Sequence, residues 1–161
     1  RGNLLMALAN KFGWLVLSTG NKTELALGYC TLYGDMIGAL SVIADLSKND
    51  VYALSQWVNK YHQNCIPNNS LLKPPSAELS PNQVDPFDYS IISPLVDDII
   101  EKQKPLSVLI NEGFEESLVR DIYKKIKSNE YKRRQAPPAL RISSKAFGIG
   151  RRLPIVNNFN G

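Results

Sequence analysis

An α/β fold, built on a partial doubly wound parallel sheet with a helix-rich C-terminal half, is what this sequence predicts. Three observations carry that expectation. Two short apolar runs, Trp14-Leu15-Val16-Leu17 and Leu40-Ser41-Val42-Ile43, are bounded by glycine or polar residues, as buried parallel strands are. Helical spacing of apolar residues flanks and separates them. The resulting order, helix, strand, loop, helix, strand, favours a wound sheet over a bundle.

Taken in order, residues 3–11 space Leu4, Leu5 and Leu8 for a helix, and Gly13 stops it. The run at 14–17 then opens into Ser18-Thr19-Gly20, the strand edge at which open α/β sheets bind ligands. A short helix is expected over 21–29, and Tyr33-Gly34-Asp35 turns the chain toward the second strand. Ser47, with Asp50 three residues on, caps a helix over 48–62 whose Val51, Leu54, Val58 and Tyr61 share one face. Residues 64–90 carry Pro67, Pro74, Pro75, Pro81 and Pro86 without sustained periodicity and read as a long functional loop. Helices are expected again over 91–102, 106–111 and 115–127, the last with Glu115 and Glu116 at its start and Lys124, Lys125 and Lys127 at its end. From 136 to 161 an irregular tail is expected, and no internal repeat is seen.

With 161 residues, 43% hydrophobic and 21% charged, the chain has the composition of one ordinary globular domain or part of one. Its first residues resemble a cut through an element, with neither an initiator methionine nor a signal peptide, and no apolar stretch approaches the roughly 20 residues of a membrane span. Cys30 and Cys65, with the single His62, make no zinc-ligand pattern and are expected as free thiols in a reducing cytoplasm. A net charge of +4 calls for an anionic partner, whether nucleic acid, nucleotide or phosphorylated substrate.

Four segments carry chemistry, each with a plainer alternative. Ser18 to Glu24 sets a glycine and hydroxyls at a strand-to-helix junction where backbone N–H groups can face a phosphate, or simply caps a helix. It is not a Walker A loop, since Asn21 separates Gly20 from Lys22. Gly28 to Asp35 sets two tyrosines around a turn, to stack on a flat heterocycle or to close a core edge. Lys73 to Leu79 holds a rigid proline pair presenting Lys73 and Ser76, suited to a substrate-facing loop or an ordinary surface turn. Glu130 to Pro138 is basic enough to bind phosphates, or to form a solvated patch at a helix end.

Together and in this order, "LSTGNKTE", "GYCTLYGD", "KPPSAEL" and "YKRRQAPP" resemble the bacterial NAD synthetases over essentially the whole chain. The resemblance is closer to the long, glutamine-dependent branch, since Leu32 stands where the short ammonia-dependent enzymes carry a lysine. It implies an adenine nucleotide alpha hydrolase-like, Rossmann-like fold. The implied reaction is ATP-dependent amidation of deamido-NAD to NAD through an adenylated intermediate, with ammonia drawn from glutamine. The cofactors are ATP and Mg2+, and the implied setting is the cytoplasm, in a homo-oligomeric parent enzyme without nucleic-acid or membrane partners. Carried over by position, Thr19, Lys48 and Ser76 would contact ATP. Glu24, Tyr29, Asp35 and Lys132 would contact deamido-NAD, and Glu24 would also hold the metal; no acid–base catalyst is assigned.

The family's Ser-Gly-Gly-x-Asp-Ser phosphate loop and its amidase domain lie outside these residues, so the chain is expected to be the C-terminal half of the synthetase domain, inactive in isolation. Two other readings remain open at this point. One is a non-catalytic basic nucleotide- or nucleic-acid-binding module; the other is an ATP pyrophosphatase that amidates a different acid.

Overall fold

A computed structural model describes residues 1–148 and 150–157. Helix α1, Gly2–Phe12, ends on Gly13, whose left-handed backbone lets its N–H reach the Ala9 carbonyl. The Gly2 N–H donates to the Tyr33 carbonyl at 3.0 Å, and a side chain at Gly2 would overlap that carbonyl, so the helix start sits directly on the turn at 31–35.

Strands β1, Leu17–Ser18, and β2, Leu40–Ser41, pair in parallel with Leu17 opposite Leu40 and Ser18 opposite Ser41. Residue Ala139 bridges the free side of Ser41, also in parallel, so the tail extends the sheet by one contact. The sheet is thus α/β in kind but small among the described residues. The expected buried strand over 14–17 is corrected: Trp14 and Leu15 lie outside β1, 62% and 67% exposed, with only Phe12 of α1 stacked on the Trp14 ring.

Helix α2, Lys22–Leu27, starts with a reciprocal capping box in which the Asn21 side chain accepts from the Glu24 N–H and Glu24 accepts from the Asn21 N–H. The same device, Ser47 with Asp50, starts α3, Lys48–Tyr61. The apolar face read for α3 is only half realised, since Leu54 and Tyr61 remain exposed and only Asn59 is buried. The long loop at 64–90 is also corrected. It contains a helical turn, α4, Asn68–Leu72, and its last two residues already belong to α5, Tyr89–Ile100. Asn59 anchors its first part, its side chain exchanging two hydrogen bonds with the backbone of Ile66.

In the C-terminal half α5 is followed, as expected, by α6, Leu106–Asn111, and α7, Glu116–Ser128, and then by an unexpected helical turn, α8, Glu130–Arg133. One core joins these helices to α2. Ala26 and Leu27 meet Leu95 and Ile99 of α5, with Leu109 of α6 and Ile122 and Ile126 of α7 closing around them. The tail from 136 to 157 is irregular where described, with a second bridge between Phe147 and Arg151. Ile149 and residues 158–161 of the expected tail lie outside the described residues.

Candidate functional site

Three of the four motif segments border one cleft of about 380 Å³. Helix α2 contributes Glu24, the turn after it Tyr29 and Asp35, and the proline loop Ser76, Gln83 and Asp85. The convergence follows from local structure. Gly28 ends α2 in the left-handed conformation and bends the chain across the helix end, while Pro74 and Pro75 stiffen the loop that faces it.

Glu24, which lines this cleft, pairs with Lys48, which lies just outside the lining, Nζ to Oε1 at 2.9 Å with both side chains mostly shielded. The pair joins the first turns of α2 and α3. It is reinforced by the Lys48 N–H donating to the Thr23 hydroxyl at 3.1 Å, a buried oxygen that also meets Ser93 at 3.2 Å. The Lys48 ammonium lies 5.4 Å from the Tyr89 ring centre. Tyr89 in turn donates to Asp85 at 2.7 Å, while the Asp85 N–H holds the Pro75 carbonyl at 2.8 Å. Tyr29 accepts from Gln83 at 3.3 Å and packs edge-on against Phe87. Burial, then the nearby Asp85, pushes the Tyr29 hydroxyl above its ordinary pKa.

Asp35 is tied into its own turn, its carboxylate accepting from the Thr31 N–H at 2.6 Å and its carbonyl from the Ser18 hydroxyl at 3.0 Å. Ser76 accepts from the Glu78 N–H, and Glu78 pairs with Lys73 in solvent. Lys132 is not among the residues lining the cleft. Its ammonium donates to the Gly28 carbonyl at 2.7 Å and the Cys30 carbonyl at 2.9 Å, bracing the backbone on which Tyr29 is carried. Thr19 stands exposed after β1, also outside the lining.

The basic segment is neither a solvated patch nor a free phosphate-binding face throughout. Arg133 is buried at 7% exposure, where it donates to the Leu25, Ala26 and Ile126 carbonyls and pairs with Glu130. Burial pulls its pKa below the usual guanidinium value, against the opposing pull of Glu130. A second buried charge went unread in the motif: Lys22, 1% exposed, has its ammonium 3.0 Å from Asp97 and 3.9 Å from Asp45, and bonds Glu101. Burial lowers its pKa, but the bonds to Glu101 and Asp97 outweigh this and hold it above the ordinary lysine value. Asp45 also accepts from the Ile142 and Ser143 N–H groups and the Ser143 hydroxyl, catching the tail. Motif spacing gives no signal for either charge, because burial of Lys22 needs α5 and the tail to close over it.

Fold and cleft define an α/β domain in which α2, the turn after it and the proline loop border one cleft. A glutamine-dependent NAD(+) synthetase from Cytophaga hutchinsonii shares this fold, with a TM-score of 0.77 at 20% identity over 98% of this chain and 27% of that one. The NMN synthetase of Francisella tularensis matches at a TM-score of 0.60 and 23% identity, over 89% of this chain and 52% of that one. The NAD synthase family model matches residues 1–136, and the chain belongs to that family. Among curated relatives, the glutamine-dependent NAD(+) synthetases of Synechocystis and Thermotoga maritima are 50% and 47% identical over 99% of this chain. The chain spans 29% and 28% of their lengths.

Proposed function

We propose that this chain is part of a glutamine-dependent NAD synthetase and supplies one wall of its synthetase site, within a doubly wound sheet completed by the rest of the polypeptide. The observation that carries the proposal is the convergence of Glu24, Tyr29, Asp35 and Ser76 on one cleft with the Glu24–Lys48 ion pair. The reaction joins anions. A nicotinate carboxylate oxygen attacks the α-phosphorus of ATP, the bond to pyrophosphate breaks, and ammonia then attacks the acyl carbon and releases AMP. Cations must offset the repulsion between carboxylate and phosphates, and fixed geometry must lower the entropic cost of bringing them together.

Lys48 answers the first need, as a cation whose present partner is a carboxylate that a phosphate can replace. Tyr29, edge-packed on Phe87, and Ser76, on its stiff loop, answer the second by bounding the space where the dinucleotide and nucleotide meet. Thr19, at the strand end, is assigned to ATP, and Asp35 to the dinucleotide. Lys132 serves deamido-NAD by holding the Gly28–Cys30 backbone in place. Among the described residues no group of three or more His, Cys, Asp or Glu could hold a metal ion. Magnesium nevertheless fits with Glu24 as its protein ligand, because this ion is usually bound through one or two carboxylates with the remaining positions taken by phosphates and water. When bound, it would neutralise phosphate charge.

The test is NAD formation by the full-length polypeptide from deamido-NAD, ATP and ammonium or glutamine in magnesium buffer. Lys48→Ala is expected to lower the rate about 100-fold or more, the scale of losing one electrostatic stabiliser. Absence of NAD with every nitrogen source would sink the assignment.

A further inference from the structure

A second cavity, of about 290 Å³, lies between α8 and the tail and shares no lining residue with the motif cleft. Its walls carry Arg133, Arg134, Arg141 and Arg152, and no carboxylate lines it. Among the described residues the acidic side chain bonded to these arginines is Glu130, which is divided between Arg133 and Arg134. Arg133 spends its donors on the carbonyls of α2 and α7 and contributes field rather than hydrogen bonds.

The other three differ. Arg134 uses Nε for Glu130 and Nη2 for the Leu153 carbonyl. Arg141 uses Nε and Nη2 for the Ser143 and Ser144 carbonyls, and Arg152 only Nε for the Gly148 carbonyl. Backbone carbonyls orient a guanidinium but leave its full charge, so among the described residues Arg141 and Arg152 have no neutralising partner. Their remaining N–H groups form the planar forks that suit phosphate or carboxylate. The floor is apolar: Leu25, Ala44, Ala136 and Phe147 offer carbon surface next to the cationic rim. A cavity near the lower size limit of small-molecule sites, with an apolar floor and a few convergent polar groups, has the form of a ligand site.

We propose that this arginine-walled cavity binds a small organic anion, a phosphate or similar group borne on a flat apolar body, independently of the motif cleft. Like charges gathered around a low-dielectric floor repel one another, and an anion held by Arg141 and Arg152 relieves that repulsion while its apolar part covers the floor. Arg133 links the site to the carbonyls of α2, the helix that carries Glu24.

Calorimetric titration of the full-length protein with phenyl phosphate tests this, with inorganic phosphate as the comparison. Saturable binding is expected, tighter for phenyl phosphate than for phosphate, and weakened by added salt. Joint replacement Arg141→Gln and Arg152→Gln should weaken it about tenfold or more, the scale of losing charge-assisted hydrogen bonds. An unchanged melting temperature would certify the fold, and Arg152→Gln alone, which removes one backbone bond, should show the same trend more weakly. Lys48→Ala should leave binding intact. No saturable binding, equal affinity in the arginine variants, or loss of binding in Lys48→Ala would each overturn the proposal.

Discussion

Cys30 shows how much a single side chain owes to its surroundings. It borders the motif cleft, and burial pushes its thiol from 9.0 up to about 11, although the Lys132 ammonium pulls the other way. Native protein therefore keeps this proton at pH values where the unfolded chain has lost it. The resulting stability is complete below about pH 9 and is lost as pH rises toward 11. Thermal midpoints measured from pH 8 to 11 should fall less steeply in Cys30→Ser than in the parent. An alkylating reagent at pH 8 should modify exposed Cys65 and spare Cys30. Residue by residue, Glu24, Tyr29, Asp35, Ser76 and Lys48 were all named through the family resemblance, and the fold brings the first four to one cleft. The inward turn of Lys132 to two carbonyls, and the burial of Lys22 and Arg133, were not legible in the sequence. Charged side chains are almost never fully buried unless paired, and apart from Glu130 beside Arg133 the groups that hold Lys22, Lys132 and Arg133 inside include ones many residues away.

Helices announced themselves by their ends. The boxes Asn21 with Glu24 and Ser47 with Asp50 are local hydrogen-bond patterns and fall within the sequence spacing that predicts them. Gly13 and Gly28 both end helices at φ +69°, yet their surroundings differ. A side chain on Gly13 meets nothing within 4 Å, whereas one on Gly28 would overlap the Asn129 side chain, which holds the Leu27 carbonyl at 3.1 Å. Gly13→Ala should thus cost only the left-handed backbone penalty, about 1 kcal/mol. Gly28→Ala should cost clearly more, because Asn129 must give up its bond, and urea unfolding of the two variants side by side checks the ordering. Strands announced themselves poorly. The apolar runs at 14–17 and 40–43 shrink to two-residue strands, since strand length is set by pairing partners and not by hydropathy.

At the scale of the molecule, charge buried at one point joins distant parts of the chain. Lys22 of α2 meets Asp97 and Glu101 at the end of α5 and lies near Asp45, which grips the tail at Ile142 and Ser143. Lys22→Met would leave the three carboxylates facing one another without a cation. It should destabilise the protein by about 3 kcal/mol or more, the scale of breaking a buried ion pair from one side. Chemical unfolding is the measurement, and a change below about 1 kcal/mol would mean that the carboxylates find other partners. Around the end of α1 and the start of β1 the surface is apolar and uncovered, with Phe12 stacked on Trp14 and Leu15 and Leu17 exposed. No helix among the described residues is long and apolar enough to cross a membrane.

The longer helices, the cap of α3, the α/β order and the family were readable from short stretches of sequence, because capping, periodicity and motif order are local properties, whereas the short α4 and α8 were not. Closure of the three motif segments around one cleft, the inward turn of Lys132, the buried cations Lys22 and Arg133, and the arginine-walled cavity were decided by tertiary contacts. Each depends on residues far apart in the chain meeting in space, as Tyr29 meets Gln83, Lys22 meets Glu101 and Arg133 meets Leu25. Electrostatic partners at that separation leave no periodic trace along the chain.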